Sequence, residues 1–276
     1  MFVRLIAIFL TAVFSIITLE AAPQKTAVKK KPRALYRKKS MAEKIVTPFC
    51  PEAVERIKSS PYFRVVVFGA SNTERYMPGL HWSDILEVGI RNDFGRKFHL
   101  INSGVSGNNT REALKRFERD VASFKPDIVI VTLGGNDCNP KPEKFVSESE
   151  FAANMDLIVK KIRDLGALPI IQTYYTMDLE AMDPERAKNF VRYMDLVRQA
   201  AERNRVFLVD QYKYFDAVNP VVLRYKLLIN AMHTNDFGNA VIGVILLKHL
   251  GIDAQKTAHN ENIRGAIELV KEISEY

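Results

Sequence analysis

Five short hydrophobic runs rich in β-branched residues alternate with longer segments in which hydrophobic residues recur every three or four positions. The runs predict β-strands at 64–70, 97–103, 127–133, 167–173 and 206–210. The intervening segments predict amphipathic α-helices at 82–94, 111–124, 149–166 and 184–204. Apolar strands separated by helices are typical of a parallel sheet covered on both faces. We therefore expect an α/β fold, a three-layer α/β/α sandwich with a mostly parallel five-stranded sheet.

The N-terminal residues do not follow this alternation. Arg4 precedes an apolar run over 5–19, and the run is followed by Glu20, two small residues at 21–22 and Pro23. This layout predicts a secretory signal peptide at 1–22, since the run is short for a transmembrane helix. An uncleaved N-terminal anchor is the alternative, and it would provide the only membrane contact that we expect. In either case the pattern predicts a secreted or periplasmic protein.

Residues 23–44 form a basic, proline-containing stretch without a hydrophobic period, which predicts a flexible linker. This stretch holds nine lysines and arginines against one glutamate, so it accounts for the whole formal net charge of +8. The remainder, 45–276, is nearly neutral and uniform in composition, and we expect it to form one domain. A nucleic-acid-binding domain needs a basic excess on its folded surface. We therefore expect no nucleic-acid partner, although the linker itself could contact an anionic surface.

The composition limits the chemistry that the domain can perform. Hydrophobic residues make up 47% of the 276 positions, enough for a sizeable core. The two cysteines, Cys50 and Cys138, are too few for a disulfide scaffold, and they could either pair or stay free. The chain contains no Cys/His cluster with zinc spacing, no P-loop and no dinucleotide-binding fingerprint. We expect neither a metal nor an organic cofactor.

Small polar residues follow three of the predicted strands, at 69–73, 102–110 and 133–139. A fourth polar cluster, at 229–239, precedes the predicted final helix. In open parallel α/β sheets the ligand crevice lies beyond the carboxyl ends of the strands. We therefore expect the four clusters to converge on one rim of the sheet.

Each cluster offers one part of a serine acyl-transfer site, which needs a nucleophile, a base and donors for the oxyanion. Ser71 is the candidate nucleophile, although its simplest interpretation is a cap of the following helix. Gly107 would let a backbone N–H approach a substrate oxygen closely. Asn136 offers an amide donor to the same oxygen. His233 lies beside a turn and a helix start, where it could act as the base.

Taken in order, the four clusters resemble the SGNH hydrolases, also called GDSL esterases and lipases. The family patterns G-D-S, S-G-x-x-T, G-x-N-D and D-x-x-H-P-N-x-x-G correspond to 69–71, 106–110, 134–137 and 230–238. The resemblance covers about 64–250 and implies the flavodoxin-like fold of this family for 45–276. It also implies that Ser71 is the nucleophile, that His233 is the base, and that Gly107 and Asn136 form the oxyanion hole with the Ser71 N–H.

Two positions depart from the family pattern. Ala70 replaces an aspartate that stabilises the first block, and we expect little chemical consequence. Asn230 replaces the aspartate of the triad. Its amide oxygen can accept the imidazole Nδ1–H, but it carries no full charge. Asp210 and Asp236 are alternative carboxylates, whose distance from His233 the sequence does not give.

The resemblance implies an exported serine esterase that removes a short acyl group, with acetyl as our first expectation, from a carbohydrate or similar ester through an acyl-enzyme. The expected partner is thus a small-molecule or glycan ester. One alternative is a lipase or lysophospholipase of the same fold. Another is a catalytically impaired carbohydrate-binding protein, because of Asn230. His81 with Trp82, and Tyr174 with Tyr175, are candidates either for pocket walls or for core positions.

Overall fold

The computed structural model describes residues 44–75 and 78–275, so the predicted signal peptide and all but the last residue of the predicted linker lie outside the described residues. This part of the chain contains seven strands: β1 Ile45–Val46, β2 Phe63–Gly69, β3 Phe98–Gly104, β4 Ile128–Thr132, β5 Leu168–Gln172, β6 Phe207–Val209 and β7 Ser274–Glu275. β2 to β6 form one sheet of five parallel strands in the order β3-β2-β4-β5-β6. The predicted sheet is confirmed, and every predicted strand bound lies within about one residue of the observed bound, the precision with which assignment methods agree.

The same ranges contain nine α-helices: α1 Pro51–Ser59, α2 Trp82–Phe94, α3 Thr110–Asp120, α4 Glu148–Asp164, α5 Pro184–Arg203, α6 Gln211–Asp216, α7 Pro220–Val222, α8 Asp236–His249 and α9 Glu261–Ile273. The segment predicted as one helix at 111–124 is divided into α3 and a 3₁₀ turn, Ala122–Phe124. A π-helical segment, Leu223–Leu227, follows α7. The helix after the fourth polar cluster is not the final one, because α9 follows it.

The helices cover both faces of the sheet, as a parallel sheet requires. α2, α8 and α9 pack together, while α3, α4 and α5 form a second group. α8 is buried on nearly all sides because it lies between its helical neighbours and the sheet. Gly243 of α8 permits this close packing, since a Cβ there would lie 2.7 Å from the Cβ of Ile85 in α2.

Strand register brings three polar clusters to one edge. Gly69, at the end of β2, pairs with Gly104 of β3 on one side and with Thr132 of β4 on the other. The loop after β2 lies directly over the end of β3, because a Cβ on Gly104 would overlap the backbone of Glu74. The clusters that follow β2, β3 and β4 therefore start at the same level of the sheet.

Both cysteines are buried and free. Cys50 precedes α1, and Cys138 lies in the loop after β4, where its thiol donates a hydrogen bond to the carbonyl of Gly135. The disulfide that the sequence allowed is not formed. Within 44–75 and 78–275, no helix has both the length and the apolar character needed to cross a membrane.

Candidate active site

Ser71 lies in a tight turn directly after β2, an interior strand of the sheet. The carbonyl of Ala70 accepts hydrogen bonds from the backbone N–H groups of Thr73 and Glu74, at 2.9 and 2.8 Å. The buried indole of Trp82 donates to the carbonyl of Asn72 at 2.7 Å and anchors the turn from the side. Helix α2 begins only at Trp82, and its cap is His81. Ser71 therefore does not cap the next helix.

His233 makes a continuous chain of hydrogen bonds with Ser71 and Asn230. Its Nε2 lies 3.0 Å from Ser71 Oγ, and its Nδ1 lies 3.1 Å from Asn230 Oδ1. The same Oδ1 accepts the backbone N–H groups of Met232 and His233, both at 2.9 Å. Only the amide oxygen can accept these bonds, so they fix the orientation of the Asn230 amide. The imidazole must therefore carry its proton on Nδ1, and Nε2 is free to accept the proton of Ser71.

Gly107 and Asn136 lie on neighbouring loops that are joined by a hydrogen bond. Gly107 has a φ of +75°, in the left-handed region that favours glycine. Asn136 Nδ2 donates to the carbonyl of Asn108 at 3.0 Å, which leaves its second N–H for another acceptor. The carboxylate of Glu74 accepts hydrogen bonds from the backbone N–H and the hydroxyl of Ser106, and so ties this loop to the serine turn.

Arg116 of α3 holds the ends of two strands and the Gly107 loop together. Its guanidinium donates to the carbonyls of Gly69 at 2.7 Å and Ser103 at 2.8 Å. It also donates to the side chain of Asn108 at 2.6 Å and pairs with Asp120 at 3.1 Å. The residue is only 8% exposed. The sequence analysis did not select it, because an arginine in an amphipathic helix is typical of the solvent face.

Asp137, next to Asn136, links the third cluster to the start of α3. Its Oδ1 accepts the hydroxyl and the backbone N–H of Thr110, at 2.6 and 2.9 Å. Burial raises the pKa of this carboxyl to about 6, although the two bonds from Thr110 oppose the shift. The two candidate oxyanion loops are therefore joined by side-chain as well as backbone contacts.

The two carboxylates considered as alternatives to Asn230, those of Asp210 and Asp236, have other partners or positions in the structure. Asp210 caps α6 and pairs with Arg198 at 2.8 Å, and it also accepts the hydroxyl of Thr173. Asp236 is exposed at the first position of α8. The side chain that meets the imidazole Nδ1 is Asn230, at the position that the family resemblance implied.

Ser71 and His233 line a small pocket whose walls include Leu80, His81 and Ile229. His81 both caps α2 and lines the pocket, and burial lowers its pKa to about 4, so its ring is neutral at ordinary pH. Tyr174 and Tyr175 are 3% and 2% exposed and do not line this pocket. In the described ranges, no three His, Cys, Asp or Glu side chains come together as metal ligands would.

The family is given by comparison with known proteins. Residues 67–241 match the GDSL-like Lipase/Acylhydrolase family, and the match includes all four polar clusters. The chain belongs to this family. It is therefore a carboxylic ester hydrolase, and the resemblance on which the sequence analysis relied is confirmed.

Relatives of this GDSL-family hydrolase include an acetylxylan esterase from Geobacillus stearothermophilus, which is 28% identical over 67% of this chain and 84% of its own length. An uncharacterized lipoprotein from Bacillus subtilis (strain 168) is 29% identical over 56% of this chain and 72% of its own. The crystal structure of a catalytic mutant of an acetylxylan esterase from Geobacillus stearothermophilus superposes with a TM-score of 0.59. That alignment covers 69% of this chain and 95% of the other at 23% identity, and confirms the fold.

The pH dependence of this GDSL-family hydrolase should reflect the surroundings of His233. Burial lowers the pKa of the imidazole from 6.5, and the positive charge of Arg186 lowers it further. The base must be neutral to accept a proton, so kcat/KM should fall to half only below pH 6.5. In Asn230→Asp, the carboxylate favours the imidazolium, so the pH at which kcat/KM falls to half should be higher. The kcat should rise about 10- to 100-fold, because a hydrogen bond to a charged group is stronger than one to an amide.

The measurement is kcat/KM for p-nitrophenyl acetate across the acid range, with Asn219→Asp as the control. Asn219 also caps a turn through its side chain, since it accepts the N–H of Val221, so the control introduces the same charge in a similar setting. Asn230→Asp should shift the pH at which kcat/KM falls to half by more than Asn219→Asp does. Equal shifts in the two variants would show that residue 230 does not set the pKa of His233.

Proposed function

We propose that this GDSL-family hydrolase is an exported serine esterase that removes acetyl groups from an acetylated carbohydrate through an acyl-enzyme on Ser71. The observation that carries the proposal is the unbroken hydrogen-bonded chain from Ser71 Oγ through His233 to Asn230. With the imidazole proton on Nδ1, Nε2 can take the proton of Ser71, as nucleophilic attack requires.

In the proposed reaction, Ser71 Oγ attacks the ester carbonyl while His233 Nε2 takes the hydroxyl proton. The oxyanion is held by the backbone N–H groups of Ser71 and Gly107 and by the amide of Asn136. His233 then gives its proton to the departing alcohol oxygen, which leaves the acyl group on Ser71. Water, deprotonated by the same imidazole, attacks the acyl carbon and releases the acid and the free serine. No metal or organic cofactor takes part.

The choice of acetyl is supported by the small pocket beside Ser71 and by the acetylxylan esterase relative. Export is supported by the signal-like pattern at 1–22 and by the lipoprotein relative. Because residue 230 is neutral, a catalytically impaired binding protein remains an alternative. Hydrolysis of esters with different acyl chain lengths distinguishes this alternative from the esterase and from the lipase.

The experiment compares p-nitrophenyl acetate, butyrate and octanoate, followed by acetylated and deacetylated xylo-oligosaccharides. We expect kcat/KM to fall at least about tenfold from acetate to octanoate, because the extra methylenes have no room in the pocket. Acetate should also be released from the acetylated oligosaccharide. A kcat/KM that rises with chain length would instead indicate a lipase or lysophospholipase. Binding of the oligosaccharide without turnover of any ester would indicate the binding protein.

A further inference from the structure

Tyr175 joins the two loops that carry Ser71 and His233. Its hydroxyl lies 2.9 Å from Asn72 Oδ1 and 2.8 Å from the carbonyl of Met232. It also accepts the backbone N–H of Thr234 at 3.1 Å. Asn72 directly follows Ser71, while Met232 and Thr234 flank His233. A single buried oxygen atom is therefore bonded to the neighbours of both reacting side chains.

The ring of Tyr175 holds this oxygen in place. The residue is 2% exposed and comes directly after the strand β5 and Thr173-Tyr174. Its ring packs against that of Phe215, with 5.1 Å between the centroids. A side chain with only two flexible torsions, packed in the core, has little freedom to move its hydroxyl. The hydroxyl is thus a fixed point to which both loops are bonded.

Asn230 makes such a fixed point more important in this chain. Asn230 orients the imidazole ring through Nδ1, but a neutral amide holds the ring less strongly than a carboxylate would. Tyr175 adds a second anchor, since its hydroxyl bonds the backbone on each side of His233. Without its hydroxyl, the Met232 carbonyl and the Thr234 N–H would each lose a buried partner, and the loop would shift to find others.

We propose that Tyr175 is a positioning residue that sets the separation of Ser71 Oγ and His233 Nε2. The proposal rests on the serine esterase mechanism proposed above. Tyr175 does not line the pocket beside Ser71, so its hydroxyl should act on the rate of proton transfer from Ser71 and not on substrate binding.

The neighbouring residue provides a matched control. Tyr174 is also buried, at 3% exposed, but its hydroxyl has no hydrogen-bond partner among the residues that the structure describes. Tyr174→Phe and Tyr175→Phe remove the same atom from adjacent buried positions. Only the second removes hydrogen bonds to the Ser71 and His233 loops.

The experiment measures kcat and KM for p-nitrophenyl acetate and the rate of Ser71 phosphorylation by diethyl p-nitrophenyl phosphate. The phosphorylation also counts the competent sites, so that kcat is given per folded molecule. We expect Tyr175→Phe to lower kcat and the phosphorylation rate by about 10- to 100-fold with KM unchanged, because a small displacement of reacting groups has a large effect on rate. Tyr174→Phe should stay within about twofold of the wild type, since it removes no bond to either loop.

Two results would overturn the role of Tyr175. One is an active wild type whose Tyr175→Phe variant keeps its kcat per competent site, even if fewer sites are folded. The other is a loss in Tyr174→Phe equal to that in Tyr175→Phe, which would indicate a general effect on packing. A wild type that neither hydrolyses the ester nor reacts with the phosphate would overturn the proposed function itself, and this role with it.

Discussion

Ser71→Ala should lower kcat for p-nitrophenyl acetate by about 10⁴-fold or more, which leaves only the catalysis that oxyanion donors and binding provide. The loss is large because the proposed acyl-enzyme needs the hydroxyl that lies 3.0 Å from His233 Nε2. His233→Ala should cause a similar loss, since the hydroxyl without its base is a poor nucleophile. The double variant should be no slower than either single variant, because the two side chains act as one unit. Steady-state kinetics with purified proteins check all three.

Ser123→Ala is the control for the loss of a serine hydroxyl. Ser123 is exposed, and its hydroxyl donates to the carbonyl of Arg119 in the preceding turn. This variant should keep wild-type kcat. A Ser71→Ala protein that retained more than about one-hundredth of the wild-type kcat would point to a different nucleophile. Removal of the true nucleophile lowers kcat far more than this.

Arg116→Met should lower the free energy of unfolding by about 3–5 kcal/mol, as expected when one partner of a buried ionic network is removed. The substitution removes the buried guanidinium that donates to the carbonyls of Gly69 and Ser103, and it leaves Asp120 without one of its two arginines. Urea unfolding followed by tryptophan fluorescence measures the change, since the single tryptophan, Trp82, is buried beside the serine turn.

The matched control is Arg119→Met, on the same helix and paired with the same carboxylate at 2.5 Å. Arg119 is 76% exposed, so water replaces its contacts and the variant should unfold close to wild type. If the two variants were equally stable, Arg116 would contribute no more to the free energy of unfolding than the exposed Arg119 does. The joining of β2, β3 and the Gly107 loop would then depend on other bonds.

The strands could be predicted from the sequence because their burial on both faces leaves uninterrupted apolar runs. Helix α2 has the predicted bounds because His81 and Asp84 form a capping box at its start. The π-helical segment Leu223–Leu227 was not predicted. Its two buried leucines are four positions apart, a spacing that does not distinguish a π-helix from an α-helix, and distant contacts such as the ion pair of Arg224 with Asp178 also hold the segment.

The candidate site was predictable where the chemistry depends on residue type and position in a motif. Ser71, His233 and Asn230 were selected in this way, and the structure brings them into contact. Tyr175 and Arg116 carry no such signal. A buried tyrosine after a strand is typical of the core, and an arginine at a helical position is typical of the surface. Their importance depends on which backbone groups meet them in three dimensions, and no local pattern contains that information.

The hydrogen bond between His233 and Ser71 joins positions 162 residues apart, with four strands of the sheet between them in sequence. Closing a loop of this length has an entropic cost, and the contact also requires β2 to be paired within the sheet and α8 to be packed against α2. We therefore expect the site to be completed late in folding. During refolding, esterase activity should therefore recover in the final step, after signals such as helix content have recovered.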